Sequence, residues 1–598
     1  MIELQPALEE AVAAAREAGA MLRADFHLPG GSRGGGDKAA ADTEAEHVIR
    51  ARVQRAFPRW GYLGEETGSA AGEPGEPVWV VDPNDGTRDY LLGRRGSAVS
   101  VAVVWSGRPV LGVVFAFAYP DGDGDLFAWA DGCGPLLRNG RPAEAALPRS
   151  LGRGDVVLVS TSGDRDVEGN LRCSEPARFR CVPSIAHRLA LLAAGEGSGV
   201  TSLFAPCAWD YAAGQALMRA AGAVLLDESG REVGYAPDAT SHTERAYAGL
   251  LPLATELSRR PWGTAGAGRD GGAEGGPERL VPGEAVSDAG LLSRAQGCLL
   301  GQVAGDSLGS LVELETAAAI ARRYPEGLRL LEDGGRWGTL AGQPTDDSEM
   351  ALALARSILA RGRYDPEAAL AAYREWYRSG PFDIGATTRA ALAGYLMAES
   401  QANGSLMRAS PLGVYAHAMT PAKAANLARQ DSPLTHPHRA CGDAVAAYVV
   451  AVAHAIRHGD GPRAAWEAAV GWARSAPADP TVIATLAAAA DAPPVREAGS
   501  QGFVLVALQN AFYELLHAPS LEAGVVATVS RGGDTDTNAA IAGALLGAVH
   551  GRGAVPLQWR QMILSCRPHP LRAKHARPER YWPVDVLEVA ERLVLAGA

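Results

Sequence analysis

The sequence predicts two domains of different class, a layered mixed α and β front and an all-helical rear. Three observations predict this. Up to about residue 258, Val- and Ala-rich runs of strand length alternate with stretches of helical period. From about residue 289, apolar residues recur at three- and four-residue spacing almost without interruption, and no alternating strand pattern is found. Between them, residues 259–288 read RRPWGTAGAGRDGGAEGGPERLVPGEAVSD, rich in Gly and Pro and lacking periodicity. Such a run cannot bury enough apolar surface to offset its ordering entropy, so it is expected to be a linker.

In the front, residues 3–25 and 42–57 have helical spacing. VWVVDP (78–83), SAVSVAVVW (97–105) and PVLGVVFAFAY (109–119) read as strands, the last two joined as a hairpin by SGR. DVVLVSTS (155–162) is a further strand, and WDYAAGQALMRAAG (209–222) a helix ending on Gly. In the rear, SEMALALARSILARG, EAALAAYREWYRSG, DAVAAYVVAVAHAIRHG and TNAAIAGALLGAVHG repeat Ala, Leu and Val at helical period.

Bulk properties exclude several function classes. The 598 residues are 47% hydrophobic and 21% charged, ordinary for a globular chain. A net charge of −12 leaves no basic footprint for nucleic acid. Lys occurs only at Lys38, Lys423 and Lys574, and the remaining basic residues are Arg, a bias from which no function is read. The seven Cys contain no CxxC pair, which argues against a disulfide framework or a zinc site and fits a reducing compartment. The N-terminal segment is acidic and amphipathic rather than a signal sequence. The longest apolar stretch, AVAAYVVAVA, falls short of the roughly 18 residues a membrane span needs, so a cytoplasmic protein with no membrane partner is expected. No spacing in the sequence sets an oligomeric state.

The chemistry-bearing segments of the front are GEE (64–66), DPNDGT (82–87) and WD (209–210). Glu65, Asp82, Asp85 and Asp210, brought together, would repel unless cations sat among them, and hard oxygen donors suit Mg²⁺. Gly86 and Thr87 would offer backbone N–H groups to a phosphate at a helix start. Singly, DPxDG reads as a turn and WD as a helix cap; in this order, with GEE ahead, they read as a site.

These segments, with AVSVAVVWSGRPVLGVVF and WDYAAGQALMRAAGAVLLDESGR, resemble the inositol monophosphatase family. The resemblance implies an α-β-α-β-α sandwich similar to fructose-1,6-bisphosphatase. It further implies a phosphomonoesterase with metal ligands Glu65, Asp82, Asp85, Asp210 and the carbonyl of Asn84, and with Thr87 and Asp42 polarising the attacking water. Three departures stand out. DKAAAD (37–42) is one residue shorter than the family's stretch, so Asp42 keeps its place only if the loop is re-routed. Asp89 replaces the usual Asn and adds negative charge near the phosphate. His187 stands where the nucleotide-phosphatase branch often has Lys, and reads either as a contact to a second phosphate or as a helix-surface residue. The substrate is an inositol phosphate, a phosphoadenosine nucleotide or another sugar phosphate.

In the rear, PTDDSEM (344–350) and RGGDTDTNAAIAGALLGAVHG (531–551) each set a Thr and two Asp at the start of a helical period. Acids there serve as caps and dipole partners. Two such clusters on apolar helices, with Glu313 in GDSLGSLVELE, suggest convergence on cations instead. Together with NGSLMR (403–408) and SPLTHPH (432–438), they resemble the ADP-ribosylglycohydrolase family. The resemblance implies an all-α fold, a binuclear Mg²⁺ centre and hydrolysis of the glycosidic bond from ADP-ribose to an acceptor. Carried over by position, the metal ligands are Thr345, Asp346, Asp347, Asp534, Asp536 and Thr537, and Asp346 or Glu313 handles the proton. Asn403, Gly404 and Ser405 form a helix-start nest for the diphosphate, and His436, with His438, is a substrate contact.

The sequence therefore implies a bifunctional hydrolase with Mg²⁺ as cofactor, two ions per domain, and Mn²⁺ as the alternative ion. Its partners would be a small phosphate ester and an ADP-ribosylated protein or metabolite. A second reading makes one half, the phosphatase-like one, a non-catalytic binding module for a phosphorylated ADP-ribose-type ligand. A third makes the chain structural, against which the complete acidic sets argue.

Overall fold

The computed structural model describes residues 3–36, 38–263, 277–495 and 502–598. They fall into two compact units, the front of the chain with Leu280–Ser287, and the rear from Asp288 to Ala598 with the short stretch ending at Arg279. Of the expected linker, residues 264–276 lie outside the described residues.

The front unit is built on an eight-stranded sheet whose centre is Val78–Asp85, Ala98–Trp105 and Arg108–Ala116. Ser106 and Gly107, both at positive φ, close the predicted hairpin, the backbone twist a two-residue turn requires. Strand alternation sends residues to opposite faces. Leu111, Val113 and Phe115 share a core with Ala11, Ala15 and Leu22 of helix Gln5–Phe26. Gly112 turns the other way, where a Cβ would overlap the Ala213 carbonyl of helix Ala208–Ala220. That helix and Ile185–Ala193 touch strands of both sheets. The second sheet has five strands, and its Val157, Phe179 and Tyr247 pack on Leu253 and Leu257 of helix Leu251–Ser258. Helix pair, sheet, helix pair, sheet and outer helices make the α-β-α-β-α sandwich.

Among the described residues the rear unit has helices and isolated bridges but no strand. Helices Ala289–Gly309 and Thr535–His550 run antiparallel along a seam of small residues. A Cβ at Gly301 would overlap the Gly543 carbonyl, and one at Gly309 would overlap Asp536. This backbone-on-backbone approach sets the last turn of one helix, at Gly309, against the start of the other, at Asp536. Helix Arg439–His458 is long and apolar enough to cross a membrane, and 89% of its apolar window is buried within the fold.

Candidate functional sites

In the front unit, the strand Val78–Asp85 ends in a register shift between Asp82 and Asp85. Pro83 has no N–H to donate to the ladder, which lets the strand end turn its acids inward. The Asp82 carboxylate accepts the Asn84 N–H at 2.7 Å. Asp85 accepts the Ala186 N–H at 2.7 Å and the Ser184 hydroxyl, both from the start of helix Ile185–Ala193. Asp210, in the first turn of Ala208–Ala220, accepts the Cys207 N–H at 2.6 Å. One carboxylate oxygen from each of Asp82, Asp85 and Asp210 lies within 4.8 Å of the other two. Burial, then neighbouring acids, hold Asp82 and Asp210 well above the usual carboxylate range. Burial also raises Asp85, and Glu65 to about 7.

The turn that follows Glu65 is held by a residue the sequence reading missed. Glu46, fully buried, accepts the N–H groups of Glu66 at 2.7 Å and Thr67 at 3.0 Å. Gly64 precedes Glu65 because a Cβ there would overlap the Glu46 carboxylate. Glu46 is an acid on the buried side of an amphipathic helix, a signal visible in sequence only once the helix phase is known.

Asp42 keeps its place despite the shortened stretch before it, of which Asp37 lies outside the described residues. Its carboxylate accepts the Asn84 amide at 2.9 Å and the Thr87 hydroxyl at 3.0 Å, and burial raises it to about 6. Gly86, at φ +94°, turns the chain into helix Thr87–Leu91.

One expectation is refined and one corrected. The negative charge of Asp89 is paired with Arg94 at 2.6 Å, and Asp89 accepts the Thr161 hydroxyl at 2.8 Å. His187 is no helix-surface residue: it is fully buried, stands 3.2 Å from the Gly96 carbonyl, packs on Tyr119, and is held by burial at about 3. It is therefore neutral at pH 7.

In the rear unit, Thr345 precedes helix Asp346–Arg361, and its hydroxyl lies 2.8 Å from Asp306 and 2.9 Å from Asp347. Asp306 also accepts the N–H groups of Thr345 and Ser348, each at 3.1 Å. Asp346 accepts the Gly385 N–H at 3.2 Å. Asp534 and Asp536 open helix Thr535–His550, and the Thr537 N–H donates to Asp536 at 2.9 Å. Asp346, Asp347 and Asp536 are all held well above the usual range, by burial first and then by neighbouring acids, foremost Asp383 for Asp346, Asp306 for Asp347 and Asp347 for Asp536. The tightest group is Glu313, Asp383 and Asp536, whose oxygens lie within 4.8 Å of one another. Burial raises Glu313 to about 7 and Asp383 to about 6.

Asp383 and Asp306 were missed by the sequence reading. Asp306 sits inside an apolar helix, a readable anomaly. Asp383, in the loop segment FDIG, has no periodicity or cap signal around it, so only tertiary packing reveals it.

Asn403–Ser405 is a 3₁₀ turn rather than a helix-start nest. The Asn403 N–H is already given to the Gly502 carbonyl at 2.9 Å, and its side-chain amide donates to Asp534 at 2.7 Å. His436 is fully buried beneath Gly404, so it backs the turn instead of presenting itself to solvent, and burial lowers it to about 3. His438 caps helix Arg439–His458, accepting the Ala440 N–H.

The donor sets fit divalent cations. Both are hard oxygen sets, and in each a buried oxygen lacks a hydrogen-bond partner, Asn84 Oδ1 in front and Asp347 Oδ1 behind. Crowded acids pushed above their usual range are also what a bound cation would relieve.

Comparison with known proteins divides the chain at the same place. Residues 3–258 match the family model described as inositol monophosphatase family, and residues 287–594 that described as ADP-ribosylglycohydrolase. An inositol-1-monophosphatase of Mesorhizobium japonicum is 34% identical over 239 residues, 37% of this chain and 84% of the relative. An ADP-ribosyl-[dinitrogen reductase] glycohydrolase of Rhodospirillum rubrum is 31% identical over 281 residues, 44% of this chain and 88% of the relative. A solved structure described as an ADP-ribosylglycohydrolase-related protein complex is 27% identical, covers 52% of this chain and 99% of its own, and has a TM-score of 0.42.

Proposed function

The front half of this chain belongs to the inositol monophosphatase family and its rear half to the ADP-ribosylglycohydrolase family; on that premise we propose that one polypeptide carries two Mg²⁺-dependent hydrolases. The front would release phosphate from a small sugar or nucleotide phosphomonoester. The rear would cleave the glycosidic bond between ADP-ribose and an acceptor. We place the domains at 1–258 and 289–598, joined by 259–288, in a cytoplasmic protein. The observation that carries the reading is the separate assembly, in each half, of buried acids distant in sequence.

In front, Glu65, Asp82, Asp85, Asp210 and the Asn84 carbonyl would hold the cations. In the rear, Thr345, Asp346, Asp347, Asp534, Asp536 and Thr537 would do so, with Asp383 beside them. Bound divalent ions supply Lewis-acid polarisation of phosphate and ribose oxygens. The chain's own residues do the rest. In front, Asp42 draws the Thr87 hydroxyl hydrogen toward itself, which leaves the Thr87 oxygen able to accept from a water and orient it. Gly86 and Thr87 present N–H groups to the phosphate. In the rear, Glu313, at about 7, is poised to give up or take a proton near neutral pH, with Asp346 the other candidate. The Asn403 amide holds Asp534, and His436 backs the turn through Gly404 and Ser405. The relative whose name specifies an ADP-ribosylated protein makes a protein acceptor the first to try.

The test is a crossed pair of variants, assayed with Mg²⁺ on inositol phosphate, phosphoadenosine phosphate and ADP-ribosylated arginine. Asp85→Asn should abolish phosphate release and spare ADP-ribosyl hydrolysis, and Asp534→Asn the reverse. If Asp85→Asn leaves phosphate release untouched, the front half is not the phosphatase proposed; it would instead be the binding module.

A further inference from the structure

The rear acids are assembled from four separate segments, and one side chain sits between two of them. The Trp337 indole N–H donates to Glu313 Oε2 at 2.8 Å, and its nearness lowers the Asp383 carboxyl against the rise that burial imposes. These are two of the three carboxylates gathered within 4.8 Å. Like charges so close repel, and Glu313 has a flexible side chain that would gain rotamer freedom by swinging into water. A donor fixed between the two opposes both tendencies. Among the described residues the cation that pairs with Glu313 is Arg336, at 3.7 Å and half exposed, a weak restraint.

An indole can act as a fixed donor only if it is itself fixed, and Trp337 stands on a glycine-rich loop, with Gly334, Gly335 and Gly338 all at positive φ. The restraint comes from more than 230 residues away in sequence. The Trp337 carbonyl accepts from Lys574 Nζ and from His575 Nε2, each at 3.0 Å. Since a carbonyl only accepts, His575 carries its proton on Nε2. The His575 carbonyl is in turn bound by the Gln343 amide at 2.8 Å. The His575 ring stacks on Phe382 at 4.6 Å and 21°, and Phe382 meets Trp337 edge-on at 5.9 Å. Phe382 immediately precedes Asp383. Two residues further on, Arg577 makes a buried two-pronged ion pair with Glu349 and also binds Ser379, four residues before Asp383. Lys574–Arg577 thus ties the loop of Trp337, the loop of Asp383 and the helix of Asp346 and Asp347 to one strip of chain.

We propose that Trp337 is a positioning residue of the rear site, its indole N–H holding Glu313 beside Asp383 and Asp536, and that Lys574 and His575 lock the indole for that task. The inference rests on the glycohydrolase reading above. Its effect falls on the reacting centre, because Glu313 and Asp383 are gathered with Asp536 among the acids that would hold the cations.

The test uses the full chain with Trp337→Phe, which keeps a ring and removes the donor, and His575→Phe, which keeps the stack on Phe382 and removes the bond to Trp337. With Mg²⁺ and an ADP-ribosylated substrate, Trp337→Phe should lower kcat roughly tenfold to a hundredfold, the usual cost of losing a partner of a site ligand. KM and inhibition by free ADP-ribose should stay within about twofold, as for a group used in the chemical step alone. His575→Phe should lower kcat in the same sense by less. A crystal structure of Trp337→Phe should show the Glu313 carboxylate displaced from Asp383 and Asp536. That readout needs no turnover, so it judges this inference even if the parent chain proves inactive on ADP-ribosyl substrates, which would count against the reading above instead. Glu313 unmoved in the variant, or kcat within about twofold of the parent, overturns the proposal. So does a rise in KM at constant kcat, which would make Trp337 a surface for the substrate. If Trp337→Phe does not fold, the decision falls to His575→Phe: unchanged kcat in that folded variant overturns it.

Discussion

Removing one acid from the front cluster should make the metal-free protein more stable while destroying its activity. Asp210→Asn is the cleanest perturbation, since an Asn oxygen can still accept the Cys207 N–H that Asp210 now accepts at 2.6 Å. The carboxylate oxygens of Asp82, Asp85 and Asp210 lie within 4.8 Å of one another. At an effective dielectric near 20, two unit charges at that separation repel by about 3–4 kcal/mol. Burial has already raised all three carboxyls, so protons relieve part of this in the chelated protein. The remaining gain on removing one charge is about 1–3 kcal/mol, or very roughly 3–8 °C in the transition of a domain this size. Calorimetry of parent and variant with EDTA, and again with millimolar Mg²⁺, separates the two effects. With EDTA the variant's front transition should lie above the parent's. With Mg²⁺ the parent should rise and the variant hardly move, because stabilisation by a ligand scales with its affinity for the folded state. Phosphate release should be lost and ADP-ribosyl hydrolysis kept. A variant less stable than the parent with EDTA, or one that gains as much from Mg²⁺, would refute the argument that these acids are held against their repulsion for a cation.

Two further outcomes follow from the packing. His187 is neutral in the fold, its folded value near 3 lying below the unfolded 6.5, so its contribution to stability is complete above pH 6.5 and is lost as pH falls below it. Between pH 7.5 and 5.5 the parent front unit should therefore lose about 1.4 kcal/mol relative to His187→Gln, measured by urea unfolding at the two pH values; parallel behaviour would show that the ring is protonated in the fold. Gly301→Ala must push helix Ala289–Gly309 off the Gly543 carbonyl. It should cost about 1–3 kcal/mol of rear-unit stability and lower ADP-ribosyl hydrolysis by shifting the helix that carries Asp306 away from the one that Asp536 opens, with phosphate release unchanged in the same preparation.

The sequence by itself determined the two classes of domain and most of each acidic set. Val- and Ala-rich runs of strand length in SAVSVAVVW and PVLGVVFAFAY marked the sheet of the front, and unbroken helical period marked the rear, because such composition and spacing are local properties of the chain. DPNDGT, TDDSEM and GGDTDT were legible because ligands clustered at element ends leave short motifs. Tertiary structure decided what those motifs meet. It kept Asp42 against Thr87 despite a shortened approach, buried His187 and His436, paired Asp89 with Arg94, and brought in Glu46, Asp306 and Asp383. None of these follows from local period, since each depends on a partner elsewhere in the chain, from Arg94 for Asp89 to Asp536 for Asp383. The backbone seam at Gly301 and Gly309, and the reach of Lys574 and His575 to Trp337, exist only once helices and loops have closed on one another. Burial and Coulomb energy are properties of that closure, and they, more than the identity of any residue, set which acids are charged.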